Sequence, residues 1–253
     1  MTALFISHGA PSIALEQDDF TRAVAAYGAT LAGARAIAIV SAHWQTHGLR
    51  VNAVSRPETI YDFGGFSDAL YRIRYEVPGD PALAREIAAL LGGAALEETR
   101  GWDHGLWVPL RILLPEARVP IVEIAQPFPT TPEELMRIGQ TLAPLRDRGV
   151  VIIGSGGIVH NLRAIHLGDK AAPVDDWANE FDTWFATHLA ARDFDTLTRY
   201  RTIAPNAAFA VPTPEHFEPL FITLGAMRPT DELTTIYEGF HYGNLSMRTF
   251  AFG

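Results

Sequence analysis

The 253 residues carry 20 Lys and Arg against 29 Asp and Glu, a net charge of −9 with no basic tract, which argues against a nucleic-acid or membrane-surface partner. The absence of cysteine excludes disulfides, thiolate zinc sites, iron–sulfur ligation and a Cys nucleophile together, so any metal must be held by nitrogen and oxygen. The composition, 48% hydrophobic and 19% charged, is globular, and no secretion signal or long apolar stretch is present, so a cytoplasmic protein without a membrane span is expected.

Short apolar runs alternate with helix-like segments along the chain. Strands are expected at Leu4–Ser7, Ala36–Ser41, Leu49–Val54, Tyr71–Tyr75, Val119–Ala125, Val150–Gly154, Thr234–Tyr237 and Ser246–Ala251. Continuous runs such as Val150-Val151-Ile152-Ile153 suit strands buried on both faces. Asp80-Pro81 opens a helix that Gly92-Gly93 closes, and Thr131-Pro132-Glu133-Glu134 opens another, with a capping box, that ends at Gly149. Apolar residues recurring every three or four positions predict an amphipathic helix from Asp175 to about Arg192. Thr213-Pro214-Glu215-His216 reads as a further helix start. No repeat or linker divides residues 1–253, so the expected fold class is α/β: a single domain with a central, mostly parallel or mixed sheet flanked by helices.

Three of the nine histidines closely follow apolar runs: His8, His43 and His160, the last beyond the turn Gly154-Ser155-Gly156-Gly157. If those strands are parallel, their carboxyl ends share one edge of the sheet, where open α/β folds place ligands. In a first helical turn His216 would be kept neutral, as a metal ligand must be. Asp103-His104-Gly105 is expected in a loop between Trp102 and Trp107, with Asp103 able to orient His104 as an acid–base residue. The other histidines, His47, His166, His188 and His241, read as structural. Gly154-Ser155-Gly156-Gly157 lacks both the spacing of a phosphate loop and a nucleophile elbow. Tyr61-Asp62-Phe63-Gly64-Gly65-Phe66 reads either as a turn with core aromatics or as a pocket wall that stacks on a flat ring.

Six blocks together resemble the class III extradiol ring-cleavage dioxygenases of the DOPA 4,5-dioxygenase type. They are Ser7-His8-Gly9-Ala10-Pro11, Ser41-Ala42-His43-Trp44, Asp62-Phe63-Gly64-Gly65-Phe66, Asp103-His104-Gly105 with Trp107-Val108-Pro109-Leu110, Gly154 to Leu162, and Pro212 to Phe217. The resemblance implies one catalytic domain that cleaves a substituted catechol with O2, using one divalent metal per chain, Fe(II) for activity or Zn(II). It places His8, His43 and His216 on the metal, His160 there as a further ligand or beside it as the acid–base residue, and His104 as a second pocket histidine. His216 stands where the broader superfamily has a carboxylate, and an all-nitrogen site suits zinc equally well. The alternatives are a zinc-dependent hydrolase and a non-catalytic metal-binding interaction protein of the same fold. Oligomeric state is not legible.

Overall fold

The computed structural model describes residues 1–116 and 118–253. Its strands are β1 (Ala3–Ser7), β2 (Ala36–Thr46), β3 (Arg50–Asn52), β4 (Ala95–Glu97), β5 (Ile121–Pro127), β6 (Val150–Gly156), β7 (Leu233–Tyr237), β8 (Phe240–His241), β9 (Leu245–Ser246) and β10 (Thr249–Phe252). Eight of them form one sheet in the order β4-β3-β5-β2-β6-β1-β10-β7, while β8 and β9 pair separately. The central four, β5, β2, β6 and β1, are mutually parallel, whereas β3 and β10 join antiparallel, making the sheet mixed.

Alternation along each central strand sends side chains to opposite faces. Leu4, Ile6, Ile37, Ile39, Val151 and Ile153 pack on one side with α1 (Asp19–Ala29). Ala3, Phe5, Ala38, Val40, Val150 and Ile152 pack on the other. After the single turn α2 (Asp68–Tyr71), this second face is covered by α3 (Pro81–Leu90), and the first face by α4 (His104–Leu113). The second face also takes α5 (Pro132–Leu142) and α6 (Asp176–Ala190). Short helices α7 (Phe194–Thr198), α8 (Tyr200–Ile203) and α9 (Ala207–Ala210) then lead to its last helix, α10 (Pro219–Ala226). Both faces are thus buried, which is why the central strands read as unbroken apolar runs.

The punctuation read from sequence is visible. Asp80 caps α3, and Thr131 and Glu134 form the capping box of α5. A 3-10 turn follows α5 and ends at Gly149, whose φ of 83° suits glycine.

Three expectations are corrected. Tyr71–Tyr75 is not a strand: Tyr61 Oη donates to the Ile73 carbonyl and Tyr75 N–H donates to Thr59 Oγ1 at 3.0 Å, so side chains satisfy backbone groups that a ladder would use. No helix starts at Thr213: residues 213–218 form a turn, and α10 begins at Pro219. His104 is not in a loop but opens α4, capped by the Asp103 carboxylate, which accepts from Leu106 N–H at 3.1 Å.

Candidate metal centre

Five histidines meet at the carboxyl edge of the parallel strands. His8 leaves β1 with its N–H donating to the Gly156 carbonyl at 3.2 Å, which ties it to β6. His43 lies inside β2, where pairing with β5 slips between Ser41 and Gln45; the irregularity turns its ring toward the same edge. His104 occupies the first position of α4, its N–H donating to Asp62 Oδ1 at 2.9 Å. His160 follows the turn after β6 and donates its N–H to the Ala210 carbonyl at 3.0 Å. His216 is brought in by its own carbonyl, which accepts Gly157 N–H at 2.8 Å. A Cβ at Gly156 would overlap that carbonyl, so this approach requires glycine.

The ring nitrogens converge. His43 Nε2 is 3.3 Å from His8 Nε2 and 3.3 Å from His216 Nε2. One ring nitrogen each from His8, His43 and His104 also lies within 4.8 Å of the other two. The opposite ring nitrogens have partners that assign the tautomers. His8 Nδ1 donates to Ser155 Oγ at 3.2 Å, His43 Nδ1 lies 3.3 Å from Asp62 Oδ2, and His216 Nδ1 lies 3.1 Å from Glu215 Oε1. With Nδ1 protonated in all three, each Nε2 presents a lone pair to the others. Three lone pairs aimed at one another repel, and a divalent cation among them removes the conflict; the donor set fits a metal.

Helix α4 contributes through a missing hydrogen bond. Pro109 has no N–H to give the Gly105 carbonyl, one turn back, and that carbonyl instead accepts the Ser155 hydroxyl proton. Ser155 Oγ is thereby oriented as an acceptor toward His8 Nδ1.

Burial sets the electrostatics. It pushes the His8 and His216 imidazoles well below 6.5, and the neighbouring histidines lower them further. For His216 this replaces the helix-dipole argument, since it heads no helix. Burial likewise lowers His160, to about 4, with Glu215 working in the opposite sense. It lowers His104 too, partly offset by Asp62, whose Oδ1 is 3.0 Å from His104 Nδ1. Burial alone would raise the Asp62 carboxyl, but hydrogen bonds from His104 and His43 outweigh it and hold the group well below the usual carboxylate range.

The five histidines open into a cavity of about 800 Å³ with mostly apolar walls. Asp62, Phe63, Gly64 and Phe66 form one wall, as the pocket-wall reading expected. Phe63 meets the His104 ring edge-on at 5.4 Å, and the His160 and His216 rings stack at 3.5 Å with 7° between their planes. Of the remaining histidines, His47 is exposed, His166 and His188 pair with Asp175 and Asp193, and buried His241 faces Asp18.

Asp103 does not orient His104. Besides capping α4, it accepts from Ser41 Oγ at 2.7 Å and pairs with Arg100 at 2.8 Å. The carboxylate that faces His104 is Asp62; with Ser155 and Glu215 it completes the set of orienting groups, of which only Glu215 is a chain neighbour of the ring it holds.

The chain matches the family model described as the catalytic LigB subunit of aromatic ring-opening dioxygenase over residues 2–249. It is 37% identical over 259 residues to a 4,5-DOPA dioxygenase extradiol of Escherichia coli (strain K12), covering 100% of this chain and 95% of that protein. To the protein of the same description from Beta vulgaris it is 36% identical over 257 residues, covering 98% and 95%. The crystal structure of an uncharacterized protein from Escherichia coli K12 superposes with a TM-score of 0.83 at 32% identity, covering all of both chains. No helix among the described residues is long and apolar enough to cross a membrane. The family is metal-dependent and acts on aromatic rings with O2, and this chain belongs to it, as a class III extradiol dioxygenase of the LigB type.

Proposed function

We propose that the protein opens the ring of a substituted, DOPA-like catechol with O2, on one Fe(II) ion held by His8, His43 and His216. The convergence of three Nε2 lone pairs in a mostly apolar cavity of about 800 Å³ carries this reading. When bound, a redox-active ion with open positions supplies a common point of contact for the two catechol oxygens and O2.

The protein's own groups do the rest. Asp62, Ser155 and Glu215 hold the three Nδ1–H groups and aim the ligand rings. Phe63 and Phe66 give the cavity aromatic walls against which a flat ring can pack. Of the two roles open to His160, stacking favours the acid–base one. The His160 ring lies parallel to that of His216 at 3.5 Å, so its nitrogens point within a plane offset from that of His216 and not toward the meeting point of the His8, His43 and His216 Nε2 atoms. Neutral at pH 7, His160 takes a hydroxyl proton from the catechol at a free ring nitrogen and later returns it as the ring opens. His104, held by Asp62, stands on the other side of the ligands, its ring centroid 3.9 Å from that of His43, as a second pocket histidine.

The test is to strip the protein of metal, reload it anaerobically with Fe(II) or Zn(II), add L-DOPA and other catechols, and follow O2 uptake with the yellow absorbance of a ring-opened semialdehyde. Uptake and colour with iron alone are expected. Stoichiometric iron binding without O2 uptake on any catechol would overturn the proposal and transfer the site to hydrolytic or non-catalytic metal chemistry.

A further inference from the structure

The cavity has a second polar feature besides the histidines. Apart from Asp62, which faces His43 and His104, the charged groups of the lining are one carboxylate, Glu16, and one ammonium, Lys170, in contact with each other beside apolar Pro11, Leu167 and Leu245. We propose that Lys170 and Glu16 form the head-group site for a zwitterionic α-amino acid side chain on the catechol, Lys170 taking the carboxylate and Glu16 the ammonium. This rests on the dioxygenase reading and names the substrate class within it.

Both groups are anchored. Glu16 follows a short turn over Pro11–Leu15, its N–H donating to the Ile13 carbonyl at 3.1 Å. Lys170 sits on the segment between His160 and α6, which is tied to the β8–β9 hairpin: its carbonyl accepts Tyr242 N–H at 2.9 Å, and Asn244 Nδ2 donates to the Ala164 carbonyl at 2.7 Å. Asp18 grips Lys170 from outside the cavity lining. Its Oδ2 is 2.5 Å from Nζ and its Oδ1 accepts Thr21 N–H at 2.8 Å, capping α1. Asp18 is therefore committed, and Glu16 is the partner that can exchange.

Charge decides which head group fits. Lys170, Glu16 and Asp18 together carry −1, and His241, 3.3 Å from Asp18, adds no charge at neutral pH because burial holds it at about 4. A side chain ending in a carboxylate alone approaches a net negative cluster. One ending in an ammonium alone satisfies Glu16 and leaves Lys170 without a cavity partner. A zwitterion replaces both halves of the Glu16–Lys170 pair with no change in net charge, which makes it the matched ligand.

The test compares L-DOPA, dopamine, 3-(3,4-dihydroxyphenyl)propionate and 4-methylcatechol on the iron-loaded enzyme, for wild type, Lys170→Met and Glu16→Gln. Wild type is expected to prefer L-DOPA, by kcat/KM, over 4-methylcatechol. In Lys170→Met the ratio of L-DOPA to dopamine falls about 10- to 100-fold, the worth of one charge-assisted hydrogen bond. In Glu16→Gln the ratio of L-DOPA to propionate falls by a similar factor. These shifts are of opposite sense on the singly charged substrates, whereas a structural defect lowers all four rates together. Such parallel losses, or unchanged ratios, overturn the proposal. Anaerobic quenching of tryptophan fluorescence separates it from the dioxygenase reading. Tighter binding of L-DOPA than of 4-methylcatechol, diminished in both variants, supports the head-group site even if no ring is opened, and equal binding overturns it.

Discussion

His43 Nε2 and His216 Nε2 stand 3.3 Å apart although 173 residues separate them in the chain, and neither nitrogen carries the proton its ring has placed on Nδ1. Two lone pairs at that distance define where a cation belongs.

Replacing His8, His43 or His216 with Ala should remove the metal. Measured by metal analysis after dialysis, each variant is expected to retain less than about one tenth of the wild-type metal, since three ligands are the minimum of a catalytic site. His104→Ala should keep metal and lose turnover. Loss of metal from His104→Ala with retention in His216→Ala would exchange their roles, an outcome the close grouping of His8, His43 and His104 makes specific.

Asp62→Asn leaves one carbonyl oxygen where two carboxylate oxygens now face His43 and His104. Metal affinity, read by competition with a chelator, should weaken by about 10- to 100-fold, the usual effect of removing a group that orients a ligand.

Gly156→Ala forces the His216 carbonyl away from β6. A displacement of the ring it carries by about 1 Å is enough to lower kcat about 100-fold. Unchanged kcat would mean that the His216 turn yields without moving the ring.

Arg146 is buried against Asp231 at 2.6 and 3.1 Å and donates to the carbonyls of Met1, Ala226 and Phe252. Asp231→Ala leaves that guanidinium without its counter-charge and should cost about 3–5 kcal/mol in urea denaturation. None of these partners lines the cavity, so metal stoichiometry should be unchanged.

Acid should destabilise the metal-free protein. Burial holds His8, His104, His160, His216 and His241 below 6.5, with His160 and His241 lowered to about 4. As pH falls through 6.5 toward 4, the unfolded chain binds protons that the folded chain refuses, and stability is lost. Glu218, raised to about 7, and Glu123, also raised, act oppositely: their contribution is full below 4.5 and is lost as pH rises. Five groups against two set the sign. The Tm at pH 5 should lie roughly 5–10 °C below that at pH 7. A Tm that rises on acidification would contradict it.

Much of the fold was legible because its signals are local. The α5 capping box and the Asp80-Pro81 start of α3 depend on residues three or fewer apart. The failures were equally local in cause: alternation at Tyr71–Tyr75 looks like a strand until Tyr61 and Thr59 take its backbone groups, and Thr213-Pro214-Glu215 looks like a cap although the helix waits for Pro219.

For the site, the absence of cysteine limited the donors to nitrogen and oxygen, and the positions of His8, His43 and His160 just beyond apolar runs pointed to the sheet edge once those strands are parallel. Glu215 adjoins the His216 ring it orients, but it took the tertiary structure to bring Ser155 to His8 and Asp62 to His43 and His104. Asp103 adjoins His104 in sequence yet turns to Ser41 and Arg100, while Asp62, 42 residues away, holds the His104 backbone N–H. Neighbours on a chain diverge with the backbone, and hydrogen bonds are satisfied by whichever groups packing brings within about 3 Å, a distance that sequence separation does not encode.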